Sequence, residues 1–322
     1  MSGPTGTRTR VLAGLLLGAL LAGCGLPHHK DLSDLSKRAV TRADASEVTT
    51  HLNQTRGRAQ SDLDETALGK VERGSLLAID LGRFRVRRTL GLVESAPTRI
   101  DPADKVLTPR FDRYPMWFAE VSTIHGSKSQ VVALFTRAST TAPWRLAFAP
   151  RMAPSTKIPR VARNDDRTAT AVRPEDGSGL PASPQAIVDG YARYLGDPHA
   201  DASGRYIEDS FVSQMRELQP AQSLDHVVVT RQWTAQPVHY VLRLPAGGAL
   251  VFATLVRKDR FRVRGDHALS WPLSAEPAAY FSTPLRRSAT LTYNHQVAMV
   301  VPKGGHPVVI GQYGGLVAAT GH

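Results

Sequence analysis

Few residues in this chain have side chains that could do chemistry, and the first of them is a thiol. Cys24 is the one cysteine among 322 residues. Thiolate zinc sites and cysteine catalysis elsewhere in the chain are therefore excluded. The sulfur is either an attachment point or a buried apolar group. Arginine supplies the next pattern. The stretches "RFRVRR" at 83–88 and "VRKDRFRVRG" at 256–265 set basic residues at alternate positions. In a strand, Arg260, Arg262 and Arg264 project from one face while Phe261 and Val263 face the core. Arg257 and Lys258 extend the basic run. A row of anionic groups suits that spacing, and so does a solvated sheet face. "DPHAD" offers Asp197, His199 and Asp201, which are metal-ligand types and also ordinary turn formers. No H-E-x-x-H, P-loop or nucleophile elbow occurs. No catalytic residue, metal or cofactor is therefore assigned. An enzyme would need an isolated carboxylate, Asp209 or Glu217, beside a pocket. Trp117, Trp144, Tyr240 and Phe252 either line the concave side of a sheet as a ligand pocket or form its contact with a preceding helix.

What precedes Cys24 favours attachment. Arg8 and Arg10 are followed by twelve residues, 11–22, that are all apolar or glycine. As a helix this run is about 18 Å long, short of the roughly 30 Å hydrocarbon core. It fits the apolar region of a secretory signal peptide. The close, Leu21-Ala22-Gly23-Cys24, resembles the lipobox of bacterial lipoproteins. That resemblance implies cleavage between Gly23 and Cys24 and alkylation of the Cys24 thiolate by diacylglycerol. One acyl chain binds a membrane only marginally, whereas two hold a domain durably. The expected place is the outer face of the cell membrane, with the membrane as partner through the lipid on Cys24. The longest later apolar run, "ALVFATLV" at 249–256, is strand-sized.

Formal charge is +12, and +10 once Arg8 and Arg10 leave with the leader. A basic surface outside the cytoplasm is drawn to anionic lipid or to anionic wall polymers. GC-rich coding produces the same arginine-heavy balance. Nucleic acid fits the sign but not the address.

The elements that must position these residues fall into five segments: a leader at 1–23, a tether at 24–45, a first α+β unit at 46–150, a proline-rich linker at 151–183, and a second α+β unit at 184–322. Helical spacing runs over 46–90, with Ser61-x-x-Asp64 as a capping-box variant and Gly57, Gly69 and Gly74 as interruptions. "MWFAEVSTI", "QVVALFTRAS" and "APWRLAFAP" alternate as an antiparallel meander. The linker holds a possible edge strand, "TATAV". Ser183-Pro184 then opens a helix, and a second helix carries Ile207, Phe211, Met215 and Leu218 on one face. "HVVVTRQW", "PVHYVLRL", "ALVFATLVRKD" and "RFRVRG" read as strands, and a last hairpin turns at "PKGG".

With the lipobox, the segments "RYPMWFAEV", "VVALFTR", "APWRLAFAP" and "GQYGGLVAATGH" make the chain resemble an uncharacterised family of actinomycete membrane lipoproteins. Its units look like cystatin-like or NTF2-like architecture, a helix packed into a curved antiparallel sheet. The resemblance implies an α+β fold of two tandem units and no agreed activity. A non-catalytic binding module of the cell envelope, taking a protein or small ligand, is the leading expectation. An enzyme with an NTF2-like pocket is the alternative, since such folds host both. A transporter-associated solute-binding lipoprotein ranks last, for want of βαβ alternation.

Intact-mass measurement of the membrane-extracted chain is expected to give a protein that begins at residue 24 and carries acyl mass. Cys24→Ala should retain residues 1–23 and carry none. A wild-type chain with a free thiol and its leader attached would overturn the anchor.

Overall fold

A computed structural model describes residues 36–92, 97–218 and 225–322. Gly23, Cys24 and the tether up to residue 35 lie outside the described residues.

Caps set the helices. Thr41 and Asp44 form a reciprocal capping box that starts α1 (Arg42–Asp62). Leu63, in the left-handed region at φ 54°, ends it. Asp64 is therefore not the distal half of a box with Ser61. It is itself the N-cap of α2 (Glu65–Val71), accepting from the Ala67 N–H at 2.9 Å. Gly74, at φ 62°, separates α2 from α3 (Gly74–Leu90). "RFRVRR" lies inside α3, so its alternation is not that of a strand. Ser183 caps α4 (Pro184–Gly196) with Pro184 at its first turn, as the spacing implies. The helix expected to carry Ile207 to Leu218 is shorter. The Asp209 carboxylate accepts from the Phe211 and Val212 N–H groups and starts α5 (Ser210–Glu217) there. Ile207 and Leu218 are left exposed.

The strands are β1 (Lys37–Arg38), β2 (Lys105–Leu107), β3 (Arg110–Phe111), β4 (Met116–Thr123), β5 (Gln130–Arg137), β6 (Arg145–Phe148) and β7 (Arg151–Met152) in the first half. In the second half they are β8 (Val227–Ala235), β9 (Tyr240–Arg243), β10 (Gly248–Val263), β11 (Ser288–Pro302) and β12 (Val308–Gly321). "ALVFATLVRKD" and "RFRVRG" are one continuous strand, β10, and "PKGG" turns β11 into β12 as the sequence implies. "TATAV" contributes a single bridge, Ala171 to Leu242. Every ladder is antiparallel. The fold is α+β.

One ten-stranded sheet runs β2-β4-β5-β7-β12-β11-β10-β8, with β6 on β5 and β9 on β10. It crosses the boundary placed at 151–183, because β7 pairs with both β5 and β12. Buried Gln296 on β11 strengthens that seam. Its amide donates to the Ala147 carbonyl at 2.7 Å and accepts from the Ala149 N–H at 3.0 Å.

The sheet also curls. Trp117 on β4 meets Tyr240 on β9 at 5.6 Å although they are far apart in strand order, and Phe148 meets Tyr240 and Phe252 at 5.6 and 6.5 Å. These aromatics form a closed core of strand residues and the 158–169 segment. Among the described residues that core contains no helix residue. Period-two alternation explains the split. Phe118 points the other way, into the core shared with α1 and α3, where Trp144 packs edge-on against it at 5.0 Å. The helices α4 and α5 cover β8–β11 from outside in a third core.

Gly82 shows how closely α3 lies on β12. A Cβ there would sit 2.0 Å from the Leu316 carbonyl oxygen. Alanine in a helix gains about 1 kcal/mol over glycine, but overpacking costs about 1–3 kcal/mol or more, and here the obstruction is backbone. Gly82→Ala is therefore expected to lower the melting temperature by several degrees. Gly69→Ala, with no atom within 4 Å of the added carbon, should raise it slightly. Calorimetry of both variants checks the pair.

Candidate functional site: an arginine-lined cavity

The residues singled out by sequence do not converge. Asp197 accepts from the His199 N–H, and Asp201 accepts from Ser203 and the Tyr206 N–H, so "DPHAD" is a pair of turns. Among the described residues no group of three His, Cys, Asp or Glu is placed to hold a metal ion. Asp209 accepts from the Tyr191 hydroxyl at 2.9 Å and from the backbone N–H groups of Phe211, Val212 and Val309. That carboxylate is a structural clamp. Glu217 is exposed at the end of α5.

The basic run of β10 divides by parity. Lys258, Arg260 and Arg262 are exposed on one face, flanked by Thr230 and Gln232 on β8 and by Thr290 and Thr292 on β11. Arg264 follows them into solvent. Arg257 is odd-numbered and faces the opposite way, so it does not belong to that surface: it is only 2% exposed. Its Nε lies 3.2 Å from Asp259 Oδ2, and Asp259 also binds Arg231 Nε at 2.8 Å.

A second buried charge lies beneath the helices. Arg56 on α1 reaches Glu72 at 2.5 Å and Asp80 on α3 at 2.7 Å. The Tyr313 hydroxyl of β12 donates to the other Asp80 oxygen. Burial opposes the Arg56 charge, but Glu72 and Asp80 outweigh it and hold the guanidinium firmly protonated. Burial likewise raises Asp80, yet Arg56 and the Tyr313 bond bring it below the usual carboxylate range. Burial pushes Glu72 up despite Arg56, and the Asp80 charge adds to the rise. Nearby, Glu120 on β4 is fully buried. It accepts from the Thr49 hydroxyl at 2.6 Å, and its other oxygen has no partner. Burial pushes it up to about 7 against that hydrogen bond.

Tyr313 carries this network outward. Its ring lines a cavity of about 320 Å³ where α3, α5 and β12 meet. The Arg83 guanidinium of α3 lies 4.5 Å from the ring centroid and that of Arg151, on β7, 4.9 Å. Arg257 enters beneath, 4.0 Å from the Tyr293 ring. The arginines grade from exposed (Arg83) through half-buried (Arg151) to buried (Arg257). Neither Arg83 nor Arg151 has a carboxylate within ion-pairing distance among the described residues. Cations sharing one ring are less than about 10 Å apart and repel by about 2 kcal/mol or more at an effective dielectric of about 20, before solvent screening of the exposed Arg83. The ring face offsets part of that.

His295 completes the wall, packed between Trp233 at 5.2 Å and Phe211 at 5.7 Å. Neither of its ring nitrogens has a hydrogen-bond partner. Burial, then the Arg257 and Arg231 cations, push its pKa down to about 3, so the imidazole is neutral. Gly314 makes room for it: a Cβ there would lie 2.6 Å from His295 Nδ1. Burial raises Tyr293 to about 12 and carries Tyr313 up as well, so both stay protonated at neutral pH. The site offers cations and hydrogen-bond donors, with one carboxylate, Glu276, in its lining.

A family model described as "Domain of unknown function (DUF8094)" matches residues 36–321. No curated protein and no solved structure matches the chain.

Because folding raises the Glu120 pKa from about 4.5 to about 7, the folded state binds that proton more tightly than the unfolded state. Its stabilising contribution is full below about pH 4.5, falls as pH rises to 7, and is flat above. Glu120→Gln should remove the slope and be the more stable protein at pH 8 by about 1–3 kcal/mol relative to the difference at pH 4.5. Urea unfolding of both proteins at the two pH values measures it. Parallel curves would show that Glu120 does not titrate in this window.

Proposed function

The chain belongs to the DUF8094 family, and we propose that this member is a lipid-anchored, extracytoplasmic binding protein of the cell envelope that does no covalent chemistry on its ligand. The observation that carries the reading is the make-up of the arginine-lined cavity. Its polar groups are guanidiniums, amides, protonated tyrosines, a neutral histidine and one acid, Glu276. That set holds and orients. The imidazole is too weak a base at pH 7 to activate a nucleophile, and Asp209 and Glu217, the carboxylates of the catalytic alternative, do not line the cavity.

Attachment rests on Cys24 in this reading, and the lipobox likeness supports kinship with the actinomycete membrane lipoproteins. No helix among the described residues is long and apolar enough to cross a membrane. The exposed row of Lys258, Arg260 and Arg262, with Arg264 beside it, suits anionic headgroups, each basic residue contributing about 1 kcal/mol near such a surface. The helix-on-curved-sheet packing of each half supports the likeness to cystatin-like and NTF2-like units.

A chain starting at residue 25, without the acylated sulfur, is expected to bind anionic vesicles at low salt and to release them as salt rises. Lys258→Glu with Arg260→Glu should abolish that binding and leave the melting temperature unchanged. Incubation with envelope extract should return, by mass spectrometry, a ligand of unaltered covalent structure. Recovery of a reaction product in its place would overturn the non-catalytic reading.

A further inference from the structure

We propose that the cavity between α3, α5 and β12 is a binding site for a small phosphate-bearing anion; this rests on the reading of the chain as a binding protein and names its ligand class. Three guanidiniums enter from three different elements: Arg83 from a helix, Arg151 from the seam strand, and Arg257 from the floor. A planar carboxylate is matched by one fork in one plane. Forks approaching from several sides match a group that presents oxygens in several directions, which is the geometry of a tetrahedral phosphate.

Among the described residues, Arg83 and Arg151 are held for this task without a carboxylate partner, while Arg257 pairs with Asp259 and gives one N–H to the Met215 sulfur. Tyr313 and Tyr293 fix all three by their ring faces, and a ring face leaves the outer N–H groups of a guanidinium unused. Arg83 gives one N–H to the Gly314 carbonyl at 3.3 Å, and Arg151 gives one to the Thr98 hydroxyl at 3.4 Å. Arg257 shares Asp259 with Arg231, so that carboxylate is divided between two cations.

His295 is the independent sign of a ligand. It lines the cavity, is 6% exposed, and has neither nitrogen bonded. Buried polar atoms in folded proteins are nearly always paired; both nitrogens are covered here, so a phosphate oxygen or hydroxyl would accept the N–H once the wall opens around it. Gln214 and Gln312 bond to each other at the mouth, leaving the Gln214 amide N–H groups as further donors. Glu276 is the one carboxylate in the lining. It faces the alcohol part of a phosphate monoester better than a polyanion without hydroxyls, since a free hydroxyl of that alcohol donates to the carboxylate.

The phosphate could belong to a free metabolite or to a lipid headgroup, and the test separates them. Titration calorimetry of the full chain in detergent uses inorganic phosphate, glycerol phosphate, sulfate and malonate as probes. Saturable binding of glycerol phosphate, at least tenfold tighter than malonate, is expected. Arg151→Gln should weaken it at least tenfold, and so should Arg83→Gln, a rim substitution that does not endanger folding. Lys128→Gln, in the exposed turn between β4 and β5, should not. Retention of the chain starting at residue 25 and carrying Lys258→Glu and Arg260→Glu on phosphatidic acid vesicles, competed away by glycerol phosphate, would assign the headgroup source. Phosphate binding without such competition would assign the free one. Failure of every phosphate probe to saturate, or equal binding by wild type and Arg83→Gln, overturns the proposal. If glycerol phosphate is bound but hydrolysed, the non-catalytic reading falls while the ligand class stands. If no phosphate binds yet envelope extract still yields an unaltered ligand, the ligand class falls alone.

Discussion

Arg56 is a cation with almost no water around it, and three helices and the last strand are arranged to neutralise it. A buried charge left without a partner is destabilising by about 3–5 kcal/mol. Glu72 at the end of α2, Asp80 on α3 and, through Asp80, Tyr313 on β12 are therefore held in one place. The constraint passes from helix to sheet and from sheet to cavity. Tyr313 can present its ring face to Arg83 and Arg151 because its hydroxyl is committed to the network behind it. An all-apolar core would hold the helices down equally well. It would not fix the orientation of that ring.

The curl of the sheet follows from a similar economy of surface. Both faces of β4 and of β10 are apolar over part of their length, so each must find two covers. Helices supply the outer ones. The inner one is the sheet itself, folded until Trp117 reaches Tyr240. The seam that allows this is narrow: β7 is two residues long, and Gln296 ties it with hydrogen bonds to both Ala147 and Ala149. Parted along the 151–183 segment, each half would expose unpaired strand edges and an uncovered aromatic surface, which is a recipe for aggregation.

Local patterns in the sequence carried most of the elements. Ser183-Pro184, the alternation of "MWFAEVST" and the turn at "PKGG" each specify their structure within a few residues. The errors arose where one local pattern had two solutions. "RFRVRR" satisfies period two as well as a helix with arginines around it, and the preceding apolar spacing at Leu76 and Ile79 decides for the helix. "ALVFATLVRKDRFRVRG" looks like two strands because its character changes from apolar to basic. The change reflects the loss of cover on one face, not a break in the chain. Parity alone separates Arg257 from Lys258, Arg260 and Arg262 in the sequence. The cavity was not legible. Residues 83, 151, 257, 295 and 313 share no motif, and only the curl and the seam bring them together.

Strand β10 is sixteen residues long and pairs with β11 without a bulge, in full register from Gly248 to Arg262. One of its faces carries Arg257 and Asp259 into the interior while the other sends Lys258, Arg260 and Arg262 to solvent. Gain or loss of a single codon near its middle would exchange those two sets at a stroke, placing three unpaired cations among Trp233, Leu291 and Tyr293. Length in this segment is therefore far less free to drift than composition, and related chains should differ in β10 by substitution, with insertions and deletions displaced to the turns at either end.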